Sequence, residues 1–361
     1  MSRPDRSVPM PVNRWSYAGL ILTYWCNARC ASCYLCCAPD RHEEMSVEQA
    51  LEYWRSLVEA GGCRVHLTGG EPFGDWERLI ELCRRAKAEG LGPLEKVETN
   101  AFWATDAELV RQRLEALDGA GMKKLLISAD PYHQEFVPIE KARLAARVAC
   151  QVLGEHRVQV RWWDWLERGP DLVWLSPSTW EELFDGYAPY WRDRLNGRAA
   201  WTLARRLKLK PVAEVADDPC ARSLLKARHV HIDPQGRVMP GTCAGIVLGL
   251  ADREPLGSIW RRLAEDYASR AVVGALALRG PAGLVERAKA EGFVPQAGYA
   301  NKCHLCWDAR RHLAKVAGYS AELGPPWLYE GDREAPKPQR IAAWRPPPDG
   351  NARNRQARTG V

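Results

Sequence analysis

"RVHLTGGEPFGDWERLIELCRRAKAEGLGPLEKVET", Arg64 to Thr99, decides the fold of this 361-residue chain. Arg64–Thr68 reads as a short strand, Asp75–Glu89 as a helix closed by Gly90, and Leu94–Thr99 as the next strand. Strand, helix and strand at this spacing make a βα unit, and the flanks repeat it. Upstream, Ala18–Tyr24 is an apolar strand, followed by a helix that begins at Ser46 with Gln49 as its capping-box partner. Downstream, Thr105 with Glu108 opens a third helix, Lys123–Ala129 is a fourth strand, Pro138–Leu153 a fourth helix and Arg157–Trp163 a fifth strand. The expected architecture is an α/β chain: a partial (β/α)6 TIM-like barrel, then a small α+β domain containing a β-hairpin.

In such barrels the chemistry sits at the C-terminal ends of the strands. Four unusual motifs fall there: Cys26, Cys30 and Cys33 after the first strand, Thr68-Gly-Gly-Glu-Pro72 after the second, Glu98-Thr-Asn100 after the third and Ser128-Ala-Asp130 after the fourth. The first twenty residues hold no signal-peptide core, and no stretch approaches the roughly 20 apolar residues of a membrane helix. The expected location is therefore the cytoplasm, where clustered thiols mean metal or catalysis rather than disulfides. Structural zinc is normally closed by four ligands, and three thiols on one loop do not supply them. A four-iron cluster held by three thiolates leaves one iron open.

The three cysteines at this spacing, Tyr34 directly after the third, and Gly69-Gly70-Glu71-Pro72 together resemble the radical S-adenosylmethionine (SAM) superfamily. The resemblance implies a [4Fe-4S] cluster on Cys26, Cys30 and Cys33, with SAM chelated to its open iron. It implies that Gly69, Gly70 and Glu71 offer acceptors to the SAM ammonium, that the glycines let backbone approach the ligand, and that Pro72 fixes the turn. Tyr34, Asn100, Ser128 and Asp130 complete the expected cofactor-binding set. The implied chemistry is reductive cleavage of SAM to a 5′-deoxyadenosyl radical that abstracts a substrate hydrogen, with the cofactor carrying the difficult step. No catalytic side chain is assigned.

In the second half, "HVHIDPQGRVMP" (His229–Pro240) reads as a hairpin turning at Asp233-Pro-Gln-Gly236. Cys220 precedes it, Cys243 follows it, and Cys303-His-Leu-Cys306 comes later. Four thiols can close a site, and spacing alone admits structural zinc or an iron–sulfur cluster. The run through Cys243 to Trp260 resembles the SPASM/twitch extensions of radical SAM enzymes. Four cysteines match the shortened twitch type, implying a second, auxiliary [4Fe-4S] cluster on Cys220, Cys243, Cys303 and Cys306. The expected divisions are 14–215 for the SAM core, 216–320 for the auxiliary domain and 321–361 for a Pro/Arg-rich disordered tail.

The expected function is a radical SAM enzyme that oxidises or cross-links a peptide or protein. The alternatives are oxidation or rearrangement of a small molecule, and, in another class, a SAM-binding iron–sulfur electron-transfer protein. Expected partners are the peptide or small-molecule substrate and an electron donor such as flavodoxin or ferredoxin. A separate peptide-recognition protein joins them, because about twenty residues before the first strand leave no room for a leader-binding domain. With a formal net charge of only +6, no nucleic acid or membrane is expected. Cys36 and Cys37 read as packing beneath the loop, with spare cluster thiols or substrate-facing groups as the alternative, and Cys63, Cys83 and Cys150 as ordinary buried cysteines. In "DPYHQEFVP", Tyr132 or His133 faces substrate or caps locally, and in "RWWDW" Arg161 is a candidate for the SAM carboxylate while the tryptophans either cover a barrel face, as three in five residues more often do, or line a pocket.

Overall fold

The computed structural model describes residues 10–330 except 172–174, 192 and 242. Strands β1 (Tyr17–Ile21), β2 (Arg64–Thr68), β3 (Leu94–Thr99), β4 (Leu125–Ile127) and β5 (Val158–Val160) alternate with helices α1 (Val47–Glu59), α2 (Trp76–Ala88), α3 (Ala107–Gly119), α4 (Pro131–Gln134) and α5 (Ile139–Leu153). Most were legible in sequence. Ser46 caps α1, its hydroxyl accepting from the Gln49 amide at 3.1 Å, but the Gln49 side chain turns to Tyr53 and the Pro234 carbonyl instead of completing the box. Asp106, not Thr105, caps α3, because its carboxylate reaches the Leu109 amide at 2.8 Å.

Strands β6 (His229–Ile232), β7 (Arg237–Pro240) and β8 (Gly249–Leu250) extend the same sheet, giving the order β5-β4-β3-β2-β1-β6-β7-β8. The first six run parallel and the last two antiparallel. This is a mixed α/β fold around an unclosed partial barrel. The sixth parallel strand is the surprise: it comes from the hairpin and lies beside β1, whereas the segment Asp171–Asp218, expected to complete the barrel, contributes no strand among the described residues. Local alternation in "HVHI" announces a strand without saying which neighbour it joins.

Apolar faces of the helices pack outside the sheet, with Leu51, Trp54 and Leu57 of α1 and Leu79, Leu82 and Cys83 of α2 fully buried. Trp162 and Trp165 are buried against Tyr187, so the tryptophan run covers a barrel face. Cys63 is exposed and Cys150 half-buried, contrary to their expected burial. Residues 323–329 are not a free tail: Leu323, Leu328 and Tyr329 are buried, and the Tyr329 hydroxyl donates to the Gly245 carbonyl at 2.7 Å. The rest of the expected tail, 331–361, lies outside the described residues. Among the described residues no helix is long and apolar enough to cross a membrane.

Candidate functional site

One cavity of about 690 Å³, open to solvent, lies at the C-terminal rim of β1 to β4. Its walls include Cys26, Cys30, Cys33, Tyr34, Gly69, Gly70, Pro72, Asn100 and Ser128, each anticipated in sequence.

The cysteine loop is held from behind by Arg198, which is 2% exposed. Its Nη1 donates to the Cys30 carbonyl at 2.9 Å and Nη2 to the Cys37 carbonyl at 3.1 Å, while its own amide donates to the Cys33 carbonyl at 2.9 Å. The Thr202 hydroxyl reaches the Ala31 carbonyl of the same loop. Sequence reading missed these residues, since nothing in 171–218 formed a motif. The Cys33 thiol is brought down to about 5, chiefly by a hydrogen bond from the Cys37 thiol and further by Arg198, against burial. Burial drives Cys26 and Cys30 upward. Cys37 also lines the cavity and donates its amide to the Cys33 sulfur at 3.4 Å, so it does more than pack.

Three anticipated roles change. Gly69 and Gly70 do line the cavity, but their missing Cβ atoms serve the fold: a Cβ would meet the Thr23 oxygen at 2.5 Å and the Trp25 oxygen at 1.8 Å. The glycines let the two strand ends pack backbone to backbone. Glu71 is fully buried and turned from the cavity. Its Oε2 accepts from the Asn100 amide at 2.6 Å, and its Oε1 from Thr99 Oγ1 at 2.8 Å and the Phe73 amide at 3.2 Å. Burial raises this carboxyl to about 7, those hydrogen bonds opposing it. Glu71 therefore pins the end of β3 and does not present its carboxylate to the cavity. Asp130 is likewise fully buried behind the wall. It caps α4, accepting from the Tyr132 and His133 amides at 3.0 Å, pairs with His133 Nδ1 at 2.7 Å and lies 3.7 Å from Arg161 Nε.

His133 and Arg161 do line the cavity, joined by Trp191, Asp193 and Glu98. Arg161 is paired with Asp193 and lies 5.3 Å from the centre of the Trp191 ring. Tyr132 is buried and donates to the Phe184 carbonyl, away from the cavity. Against burial, Lys96 at 2.7 Å and the Thr68 hydroxyl at 2.9 Å hold Glu98 down to about 2.

A second, smaller cavity gathers Cys220, Cys243, Cys303 and Cys306 from distant parts of the chain. Cys220 precedes the Ala221–Leu224 helix, Cys243 follows β7, and Cys303 and Cys306 occupy the first turns of the Lys302–Leu313 helix. Three cations share its walls: Arg194, whose Nη1 donates to the Cys303 sulfur at 3.5 Å, Lys302 and Arg310. Arg310 is 1% exposed and donates to the Ala244 carbonyl at 2.7 Å, the Tyr329 hydroxyl at 3.0 Å and Asn196 Oδ1 at 2.9 Å. Burial pushes Cys306 up to about 11 and Cys220 to about 12, each helped by the neighbouring cysteines. His304 stays out of the cavity, its Nδ1 accepting from the Ala300 amide at 3.3 Å.

Residues 20–150 match the family model described as the radical SAM superfamily. This segment is similar to that family. Among curated proteins, the GTP 3′,8-cyclase of Listeria welshimeri is 30% identical over 126 residues, covering 33% of this chain and 34% of that one. The GTP 3′,8-cyclase of Aquifex aeolicus is 29% identical over 123 residues, covering 32% and 35%. The match thus spans about a third of the length of these relatives. Among solved structures, BtrN in complex with AdoMet and 2-DOIA is 14% identical, covering 75% of this chain and 90% of that one with a TM-score of 0.44. Streptococcus suis SuiB bound to S-adenosylmethionine is 14% identical, covering 68% and 65% with a TM-score of 0.34.

Proposed function

We propose that the protein is a radical SAM enzyme with an auxiliary cluster, acting on a peptide or protein side chain by hydrogen abstraction followed by oxidation or cross-linking. The observation that carries the reading is the gathering of eight cysteines into two cavities, Cys26, Cys30, Cys33 and Cys37 in one and Cys220, Cys243, Cys303 and Cys306 in the other. When bound, the first cluster and SAM supply a carbon radical that takes a hydrogen atom from substrate.

Cys26, Cys30 and Cys33 hold the first cluster, and Arg198 fixes the loop and offsets the charge of its thiolates. The carbonyls of Gly69 and Gly70 accept from the SAM ammonium. Tyr34, Asn100 and Ser128 line the same cavity and hold the rest of SAM, while Pro72 sets the turn and Glu71 and Asp130 position the wall. His133, its Nδ1 fixed by Asp130, is placed to exchange a proton with substrate at Nε2. Arg161 remains the candidate for a carboxylate.

Cys220, Cys243, Cys303 and Cys306 hold the auxiliary cluster, whose charge Arg194, Lys302 and Arg310 balance. An electron acceptor beside the substrate cavity suits oxidation. The small-molecule alternative draws on the relatives' names as GTP cyclases.

The test is anaerobic reconstitution with iron and sulfide counted, then dithionite and SAM with a search for 5′-deoxyadenosine. About eight irons with deoxyadenosine is the expected result. About four irons would remove the auxiliary cluster, and no deoxyadenosine would leave the passive electron-transfer reading.

A further inference from the structure

Three histidines inside the sheet take no part in this chemistry. Gly19 of β1 is in register with His66 on β2 and with His231 on β6. His229, two residues before His231 and opposite Tyr17, shares their face. A Cβ on Gly19 would lie 2.2 Å from His231 Cδ2 and 2.5 Å from His66 Nε2. Only glycine on the middle strand lets the flanking imidazoles meet. They do so with their Nε2 atoms 3.3 Å apart, and one ring nitrogen from each of the three histidines lies within 4.8 Å of the other two.

We propose that His66, His229 and His231 bind a divalent transition-metal ion of the zinc class, at a site separate from both cysteine cavities. Zinc–nitrogen bonds of about 2.0–2.1 Å in tetrahedral geometry place neighbouring nitrogens about 3.3–3.4 Å apart, the spacing seen between His66 and His231. Three histidines with one open position is a donor set that imidazole-preferring ions accept. His66 and His231 are buried and His229 half-buried, and in the metal-free chain His66 and His231 share one hydrogen bond between their Nε2 atoms, which an ion would replace. His66 Nδ1 and His229 Nε2 are buried without a hydrogen-bond partner among the described residues, a cost that a ligand at His229 would remove.

The charges facing the cluster are Glu98, whose Oε1 lies 3.8 Å from His66 Nε2, and Lys96, which pairs with that carboxylate. They offset one another, leaving the site open to a cation. Glu98 also lines the cysteine cavity, so the ion would sit beneath that cavity with one carboxylate between them.

The experiment uses the reconstituted holoprotein, given one equivalent of zinc and passed over a weak chelator. Zinc and iron are counted by mass spectrometry, and the zinc K-edge absorption spectrum reads the ligands. The expected result is about one zinc per chain, with imidazole scattering at about 2.0–2.1 Å and no sulfur at about 2.3 Å. His66→Gln and His231→Gln should keep their iron and lose zinc at least tenfold. Sulfur in the zinc shell, zinc retained in both variants, or full iron with no zinc in the wild type would each overturn the assignment. The wild-type spectrum decides even where a variant fails to fold.

Discussion

Replacing Arg198 with alanine should unlock the cysteine loop without unfolding the chain. The Cys33 carbonyl keeps its bond to the residue 198 amide, while the guanidinium bonds to the Cys30 and Cys37 carbonyls, at 2.9 and 3.1 Å, are lost. Hydrogen bonds to a charged group contribute about 1.5–3 kcal/mol each, so the pair is worth about 3–6 kcal/mol. Removing a buried cation also removes its desolvation cost, which brings the expected loss to the lower end, about 3 kcal/mol. At about 1.4 kcal/mol per decade, the open form of the loop rises about 150-fold. Hydrogen exchange of peptides covering residues 26–37 measures this directly, with β3 and α5 as internal references. Arg198→Lys, which cannot bridge two carbonyls, should fall between the two. Loop exchange unchanged in a folded Arg198→Ala protein would refute the clamp.

Alanine at Cys26, Cys30 or Cys33 should abolish deoxyadenosine formation, and full retained cleavage by any one variant would sink the cluster assignment. Cys243→Ala should remove about four irons per chain and leave SAM cleavage detectable, whereas unchanged iron would refute the auxiliary cluster. Glu71 is raised by burial from 4.5 to about 7, so the folded chain holds a proton that the unfolded chain releases. Its contribution to stability is full below about 4.5 and is lost as pH rises through about 7, by about 3 kcal/mol across that window. Denaturation at several pH values should show the wild type losing about 3 kcal/mol relative to Glu71→Gln across that window, and parallel pH profiles for the two proteins would refute it. Gly197→Ala adds a Cβ at a backbone φ of 54°, 2.4 Å from the Tyr34 carbonyl oxygen, and should lower iron retention after reconstitution by at least tenfold.

What was legible in sequence was chemistry of rare residue types and regular local pattern. Thiols and the Gly-Gly-Glu-Pro turn identified the cavity wall because few other roles fit them, and the βα alternation placed them at one rim. Side-chain direction was not legible. Being at a strand end says that Glu71 and Asp130 are near the site, but only the approach of β3 and α4 turns them away from it. The position of β6 was hidden for the same reason: its pairing partner lies more than 200 residues earlier, and the match rests on Gly19 leaving space for His66 and His231.

The largest gap was the segment from Trp191 to Thr202, which carried no motif yet threads between the two cysteine cavities. Trp191 and Asp193 line the first, Arg194 and Asn196 the second, and Arg198 and Thr202 return to clamp the first loop. Gly197 is the point where this strap crosses the Tyr34 backbone, too close for any Cβ. Asn196 accepts from Arg310 on the helix carrying Cys303 and Cys306, so one short stretch sets both thiol groups through hydrogen bonds to backbone and cation. Backbone carbonyls have no sequence signature, which is why a segment whose work is to hold them reads as featureless. The two cysteine cavities are therefore mechanically one unit, and substitutions in this strap should disturb both, while substitution of a single thiol disturbs only its own.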